Sequence, residues 1–473
     1  MKRRNDLALA HCPIHGYIAF VSSKAKDGGD VYCEQDLIDH PWVQRLRQIH
    51  QLQTAWFVFP SAEHSRFQHV LGVMHLASRA VAALYESLKE ACPDLPSRGY
   101  VESLLRISAL LHDVGHGPFG HFFDEHFLSQ YHLTHETLGA EIIRRELGSI
   151  IRGIRRNPNS ELSSSETLAP EHVAFLIVRP KKSLPGSDSE ANFPRWLFLL
   201  RALFCGIYTI DNMDFVLRDA YMSGFNTRVA DIERLFHYSF FTPQGLTIDE
   251  RGLSSLVYFL SVRGELFRTI YFHRTVRAVD ISLEDLFRES RDYFLPGNPL
   301  EHLEAYRDFT EWSLIIRTTQ EWARSDDATL RALSERWRSV SNRRLPWRTA
   351  TERTLFYESA QEEKRSIFAN REFFAQQFRA ALPSELAEIP LRFDLARHTY
   401  RPGSSAPADN LNFVMETKTG FCRAISSEEI VRRLPYISYI CRVYAQDSAH
   451  DAILSKTMDI LLEGTPRDDA TNV

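Results

Sequence analysis

A fourteen-residue segment, 111–124, is the most chemically informative part of this sequence, because it contains three histidines and two aspartates. His112 and Asp113 directly follow the apolar run 104–111. Such a pair at the end of a buried helix is costly to keep unless it binds something. Neutral imidazole and carboxylate are both good ligands for divalent cations. The segment therefore predicts a metal site, with His116 and His121 nearby as acid–base groups.

Three further polar segments accompany it: 63–72 (Glu-His-Ser-Arg-Phe-Gln-His-Val-Leu-Gly), 134–136 (Thr-His-Glu) and 208–219 (Tyr-Thr-Ile-Asp-Asn-Met-Asp-Phe-Val-Leu-Arg-Asp). Their order resembles the motif set of the HD-domain phosphohydrolases, in which a histidine, an adjacent His-Asp pair and a distant aspartate bind one divalent metal. The resemblance implies the ligands His69, His112, Asp113 and Asp211. Two imidazoles and two carboxylates suit Mn, Fe, Co, Ni or Mg without selecting one of them.

Segment 44–72 narrows the resemblance to the deoxynucleoside triphosphate (dNTP) triphosphohydrolases, which include bacterial dGTPases and the mammalian SAM-and-HD-domain dNTPase. The match is ungapped across this segment and returns, more weakly, at 263–274. It implies that water attacks the α-phosphorus and that a deoxynucleoside and intact tripolyphosphate are released. Homo-oligomers, dimers or tetramers, are also expected from this resemblance.

Site roles follow from the same resemblance, residue by residue. The implied substrate contacts are Gln51 and Asp219 at the deoxyribose 3′-hydroxyl, Arg66 and Arg263 at the phosphates, and Tyr271 stacked under the sugar. The implied catalytic residues are His116, His121, Asp124 and His135, with His121 transferring a proton at the 5′-oxygen. A guanidinium suits phosphate because it presents a fork of donors.

Three positions depart from the family pattern: Asn212, Phe215 and Phe272 replace a lysine, a tyrosine and a glutamine. These departures leave base preference and the triphosphate requirement open, and nothing in the sequence indicates activation by nucleotides. Two alternatives therefore stay open. The first is an HD phosphohydrolase acting on a monophosphate, a modified or cyclic nucleotide, or a nucleic-acid end. The second is a nucleotide- or DNA-binding regulator.

Some of these residues also have ordinary structural interpretations. His112 and Asp113 could be a hydrogen-bonded pair at a helix end, and Tyr271 could be a core aromatic. Four further histidines are interpreted as surface or packing residues: His64, His75, His126 and His132. The run 336–348 has the composition of a nucleic-acid patch, but a solvated helix face with two buried tryptophans is favoured. Nucleic acid is thus a weakly supported partner.

Composition excludes several classes of protein. The 473 residues carry 56 Lys+Arg and 61 Asp+Glu, a net charge of −5, so no global basic field indicates a nucleic-acid binder. The six cysteines form no CxxC motif, which argues against a zinc ribbon or disulfide framework and fits a reducing compartment. No apolar stretch indicates a signal peptide or a membrane span. A cytoplasmic protein is expected.

The helical periodicity predicts a mainly α fold with an N-terminal β-hairpin and a small C-terminal α+β lobe, and the family resemblance implies that its helical core is an HD domain. The hairpin is expected at 12–34, with strands 17–21 and 31–33. Helices are expected at 36–53, 67–84, 101–111, 135–147, 196–205, 211–222 and 253–277, and a surface insertion at 156–194. The expected divisions are 1–37 hairpin, 38–285 HD core, 286–398 helical extension and 399–473 lobe.

Overall fold

The computed structural model describes residues 6–22, 32–179, 193–225, 230–401 and 412–463, and the mainly α prediction is confirmed. The N-terminal part and the core contain β1 (Leu7–Cys12), β2 (Gly16–Val21), α1 (Glu34–Ile38), α2 (Pro41–Gln44), α3 (Arg66–Ala91), α4 (Arg98–Leu111), α5 (His121–His126), α6 (His135–Ile142), α7 (Gly148–Gly153), α8 (Pro170–Ile177), α9 (Arg195–Cys205) and α10 (Ile210–Met222).

The second half of the chain mixes helices with short sheets. It contains α11 (Ile232–Tyr238), β3 (Ser239–Phe241), β4 (Leu246–Asp249), α12 (Leu253–Leu266), α13 (Arg274–Ser290), α14 (Leu303–Asp308), α15 (Glu311–Ile316), α16 (Ala328–Ser341), β5 (Arg348–Tyr357), α17 (Ala360–Arg365), α18 (Arg371–Ala381), β6 (Leu391–Thr399), β7 (Asn412–Met415), β8 (Cys422–Ala424), α19 (Glu429–Arg432), β9 (Ile437–Ala445) and α20 (Asp451–Glu463). None of the described helices is long and apolar enough to cross a membrane.

The N-terminal hairpin exists, but its strand pairing differs from the prediction. β1 and β2 pair antiparallel, from Leu7 opposite Val21 to Cys12 opposite Gly16. Gly16 has φ of 73°, so the residue that ends the turn is one that tolerates the left-handed region. Closing this short turn costs less chain entropy than closing the longer loop expected before 31–33. Residue 31 lies outside the described residues, and 33 caps α1 instead.

Helix α4 lies at the centre of the core, since every residue from 99 to 111 is buried. It packs against α3 and α8, and α3 in turn packs against α10. The buried charges of α4 are paired: Arg106 Nε donates to Glu34 Oε1 at 2.6 Å, and Asn159 Nδ2 donates to Glu102 Oε1 at 2.5 Å. Because α4 is enclosed, its C-terminal residue His112 is placed inside the protein rather than at its surface.

Two of the expected helices are divided, and part of the expected surface insertion is a core helix. The pattern at 36–53 forms α1, α2 and a 3₁₀ turn, because Pro41 starts a new helix. The pattern at 253–277 is interrupted after a π-helical turn at 267–271, and α13 begins at Arg274. The expected surface insertion was wrong for 170–177, since α8 packs into the core; 180–192 lie outside the described residues.

The C-terminal lobe is built on a three-stranded antiparallel sheet in the order β5-β9-β6. The nine residues of β9 are all buried, and α18 and α20 pack with this sheet around an aromatic cluster that includes Phe374, Phe378 and Phe393. The expected boundary at 398/399 runs through this sheet, because β5 and β6 come from the segment expected to be helical. Six of the first seven residues of β5 are charged residues or threonines, which obscured its strand character.

Candidate active site

Three helices bring the expected ligands together. His69 lies in the first turns of α3, His112 caps the C-terminus of α4, and Asp211 lies in the first turn of α10. Nε2 of His69 lies 3.0 Å from Asp211 Oδ1 and 3.3 Å from His112 Nε2. Asp113 Oδ1 lies 3.4 Å from the same His112 nitrogen. His69, His112 and Asp211, separated by up to 142 positions, thus bring their ligand atoms within 4.8 Å of one another, and Asp113 adjoins them through His112.

The tautomers of the two histidines fit a metal. His69 Nδ1 donates to Asp214 Oδ2 at 2.8 Å, and His112 Nδ1 donates to the Ala109 carbonyl at 2.7 Å. Each ring therefore turns its Nε2, the atom through which a neutral imidazole coordinates a metal, towards the other ring and towards the Asp211 carboxylate. These donor atoms of His69, His112 and Asp211 all lie within 4.8 Å of one another. Two imidazole lone pairs facing a carboxylate are the donor set of a divalent metal.

Asp214 holds His69 in this orientation and was missed by sequence reasoning. It is completely buried. Its carboxylate accepts hydrogen bonds from His15 Nε2 at 2.6 Å and from Arg218 Nε and Nη2 at 2.8 and 2.9 Å. Burial opposes its ionisation, but Arg218 and the histidine donors hold the pKa of Asp214 well below its usual range. Burial also opposes protonation of His69, whereas Asp211 and Asp214 raise its pKa to about 10. The sequence feature that could have identified Asp214 is its position three residues after Asp211.

Arg66 is tied to the same cluster. Its Nη1 donates to Asp113 Oδ2 at 2.6 Å, which leaves Oδ1 facing His112. Burial would raise the pKa of Asp113, but His112 and Arg66 lower it well below the usual value. Gly120 has φ of 55°, and a Cβ there would lie 2.3 Å from Arg66 Nη2. Glycine at this position therefore leaves room for the guanidinium.

The four expected catalytic residues form a second cluster. Asp124 Oδ2 accepts from His135 Nδ1 at 2.5 Å and lies 3.4 Å from His121 Nδ1. The His116 and His135 rings stack, with centroids 3.7 Å apart. His116 Nε2 lies 3.5 Å from Asp113 Oδ1, so it connects the two clusters. Burial, followed by Arg66, lowers the pKa of His116 well below its ordinary value, so its ring is neutral.

Asp219 organises the expected sugar contacts. Its Oδ1 accepts from His64 Nε2 at 2.8 Å, and its Oδ2 accepts from Tyr271 at 2.5 Å. Burial, followed by Asp219, raises the pKa of Tyr271 well above its usual value, so its hydroxyl stays a donor. Gln51 lies beside this group, since its N–H donates to the His64 carbonyl at 2.9 Å. His64 thus has a specific partner that its interpretation as a surface or packing residue did not foresee.

A cavity of about 600 Å³ joins these groups. Eleven of the thirteen predicted site residues line it: Gln51, Arg66, His69, His112, Asp113, His121, His135, Asp211, Asp219, Arg263 and Tyr271. His116 and Asp124 lie behind this lining, in contact with it. The departing residues Asn212, Phe215 and Phe272 also line the cavity. The wall contributed by the C-terminal lobe includes Arg371 of α18 and His398 and Thr399 of β6, which sequence reasoning did not identify.

The basic run at 336–348 agrees with its favoured interpretation. Trp337 and Trp347 are buried, at 1% and 8% exposure, and Trp337 donates to Ser290 Oγ at 3.1 Å. Arg336 pairs with Glu289 on the surface. Neither tryptophan is therefore available to stack on a base.

Comparisons with known proteins agree with this geometry. The HD-domain family model matches residues 66–176. The chain is 27% identical over 413 residues to the uncharacterised protein YwfO of Bacillus subtilis, which covers 84% of each chain. It is 24% identical over 478 residues to human deoxynucleoside triphosphate triphosphohydrolase SAMHD1, which covers 93% of this chain and 71% of that one.

Among solved structures, a hypothetical protein from Aquifex aeolicus superposes with a TM-score of 0.65 at 21% identity. The match covers 96% of this chain and 100% of that one. At this identity the likeness concerns the fold, and it extends over both the helical core and the C-terminal lobe.

Proposed function

We propose that this member of the HD-domain dNTPase-like family hydrolyses deoxynucleoside triphosphates to deoxynucleoside and tripolyphosphate. The observation that carries the proposal is the convergence of His69, His112 and Asp211 at one end of a cavity that also contains Asp219 and Tyr271. A metal-ligand set beside a partly polar cavity suits a nucleotide, because the phosphates can be held at the metal ligands and the sugar at the cavity residues.

The proposed metal ligands are His69, His112, Asp113 and Asp211. A divalent ion held there would supply Lewis-acid chemistry, neutralising charge on the α-phosphate and lowering the pKa of the attacking water. Arg66 would neutralise a further phosphate oxygen while keeping Asp113 in position.

The protein's own residues account for the remaining parts of the reaction. Water oxygen bonds to the α-phosphorus and gives up a proton to solvent, the bond from phosphorus to the 5′-oxygen breaks, and that oxygen takes up a proton. His121 is the proposed proton donor, because its side chain is 59% exposed on the cavity wall and Asp124 lies behind it. His116, whose ring is neutral, and His135 are the proposed contacts for phosphate or water, and Asp219 is the proposed acceptor for the 3′-hydroxyl.

The experiment is a substrate panel. Protein loaded with Mn²⁺ or Mg²⁺ is incubated with each of the four dNTPs, and tripolyphosphate and deoxynucleoside are separated by anion exchange. Stoichiometric release of both supports the proposal. The double variant His112→Ala Asp113→Ala is the control and should release neither. Absence of tripolyphosphate with all four dNTPs in a metal-loaded sample would contradict it.

A second candidate is hydrolysis of another nucleotide by the same site. The observation that favours it is that Asn212, Phe215 and Phe272 all line the cavity, so three departures from the family pattern lie where a substrate would contact them. Activity on monophosphates, cyclic nucleotides or nucleic-acid ends, with dNTPs left unhydrolysed, would support this candidate.

A dimer or tetramer is also proposed, and light scattering of the purified protein tests the oligomeric state.

A further inference from the structure

His398 is a buried histidine of the C-terminal lobe that faces the active-site cavity. It is the penultimate residue of β6, is only 6% exposed, and lines the active-site cavity together with Arg263. Its Nε2 has no hydrogen-bond partner within the described parts of the chain. A buried ring nitrogen without a partner is costly, and here the nearest source of a partner is whatever occupies the cavity.

The second unpartnered group is on the guanidinium of Arg263, on α12. Its Nη1 donates to the Ile207 carbonyl at 3.0 Å, but its Nε has no partner among the described residues. The charge of Arg263 acts on His398, and the charge of Asp211 acts on Arg263. Arg263 is therefore within electrostatic reach of both Asp211 and His398, and all three residues line the same cavity.

The packing around His398 fixes its ring. Phe267 stacks on it with centroids 4.3 Å apart, and Tyr400 contacts it edge-on at 4.8 Å. Its backbone pairs with β9, and β9 is anchored to the core because Arg442 donates to the Phe272 carbonyl at 2.6 Å. The lobe thus holds an oriented imidazole against the cavity rather than a mobile side chain.

We propose that His398 is a substrate-binding residue which, with Arg263, binds the end of a polyphosphate chain farthest from the metal-ligand cluster. This inference rests on the proposed function and specifies where that substrate's terminal phosphates lie. Phosphate fits better than a base, because a guanidinium offers only donors and carries a charge that a neutral base would leave uncompensated. Burial and then Arg263 lower the pKa of His398 to about 3, so in the free protein the ring adds no second charge beside Arg263.

The test compares two substitutions at this position. His398→Phe keeps the stacking on Phe267 and removes the nitrogen, whereas His398→Gln keeps an N–H donor. Inorganic tripolyphosphate and orthophosphate are titrated calorimetrically against metal-loaded protein. We expect His398→Phe to weaken tripolyphosphate binding by about tenfold or more, as for loss of a hydrogen bond to a charged group. Orthophosphate held at the metal ion should bind unchanged, and Gln should restore part of the affinity.

The matched control is Arg397→Gln. Arg397 precedes His398 on β6, is exposed, and pairs with Glu363 at 2.7 Å on the opposite face of the strand. It should bind tripolyphosphate like the unsubstituted protein. Thermal unfolding of each variant checks that the lobe is folded, and His398→Gln serves as the binding test if the Phe variant is not.

Two results would overturn the inference: unchanged tripolyphosphate affinity in folded His398→Phe and His398→Gln, or an equal loss in Arg397→Gln. A change that depends on the base of the nucleotide, with tripolyphosphate binding intact, would also overturn it and assign His398 to the base. Because the probe is inorganic, failure of dNTP hydrolysis is distinguishable from failure of this inference. If dNTPs are hydrolysed, we also expect His398→Phe to raise KM with kcat little changed.

Discussion

The ligand histidines and His398 differ in how their ring nitrogens are satisfied, although Arg66 Nε and His116 Nδ1, beside the ligands, also have no partner among the described residues. At the metal end, both ring nitrogens of His69 and His112 have neighbours, and Asp214 adds a completely buried layer behind them. By contrast, Arg263 Nε and His398 Nε2, in the cavity lining, have no hydrogen-bond partner within the described residues. Gln51 Oε1, near the sugar contacts, is in the same condition.

This difference indicates which side chains are oriented by folding and which complete their hydrogen bonds only when a molecule binds. The metal ligands are oriented by contacts made during folding, so little reorganisation accompanies metal binding. The far groups keep unmade hydrogen bonds that only a bound molecule completes, so their desolvation is offset on binding. Substitutions at the metal end should therefore change metal affinity and stability, and substitutions at the substrate end should change substrate affinity alone.

The largest effect is expected from His112→Ala. This change removes one of two imidazoles from the cluster and leaves the Ala109 carbonyl at the end of α4 without its donor. We expect loss of bound metal, measured by mass spectrometry of the dialysed protein, and loss of detectable hydrolysis. His450→Ala, outside the cavity lining, is the control. Metal retained at full stoichiometry would show that His112 is not needed to bind the metal.

Asp214→Asn tests whether the layer behind His69 matters. The change removes the charge that orients His69 and leaves Arg218 buried without its carboxylate. We expect metal affinity to fall about 10- to 100-fold and the free energy of unfolding to fall by roughly 3–5 kcal/mol. Competitive metal titration and chemical denaturation measure the two effects. Unchanged metal affinity in a destabilised protein would mean that Asp214 supports the fold only.

The pH dependence of that stability difference has a definite sign. Arg218 and the histidine donors depress the pKa of Asp214 in the folded protein, so its contribution is complete above the unfolded value of roughly 4. The contribution is lost as pH falls through the folded pKa. We therefore expect the difference between metal-free wild type and Asp214→Asn to be constant from about pH 6 to 8 and to shrink below about pH 4. A difference that grows on acidification would contradict this ion-pair description.

The sequence predicted the two ends unequally well, for physical reasons. His69, His112 and Asp211 lie in short motifs whose order resembles a known set, so their meeting could be predicted. His15 and Asp214 could not be paired in advance, because 199 residues separate them and only the packing of the hairpin turn on α10 brings them together. Local periodicity carries no information about such contacts.

The cavity wall contributed by the C-terminal lobe was missed for a related reason. His398 lies on β6, and the charged residues around it made the segment resemble a solvated helix rather than a strand. Its position in the cavity depends on pairing with β9, which follows almost forty residues later along the chain. Fold class and the motif-bearing helices could thus be predicted from sequence, whereas contributions from one lobe to the other could not.

Gly120→Ala tests the connection between Arg66 and the metal end. The new methyl group would lie 2.3 Å from Arg66 Nη2, so the guanidinium must move from Asp113. Loss of a charge-assisted hydrogen bond predicts about a tenfold fall in kcat/KM. Gly224→Ala is the control, because Gly224 also has a positive φ, 75°, but has open space around it. Equal losses of activity in both variants would attribute the effect to backbone strain rather than to Arg66.

The smallest effect is expected from Tyr271→Phe, at the substrate end. The change removes the hydroxyl that donates to Asp219 but keeps the ring, and His64 still holds the other carboxylate oxygen. We expect KM to rise by a few-fold to about tenfold, in line with one hydrogen bond to a charged acceptor, while metal content and stability stay at wild-type values. Tyr258→Phe, on the exposed face of α12, is the matched control. Loss of metal from Tyr271→Phe would contradict the division between the two ends, since it would show that the sugar contacts also organise the metal ligands.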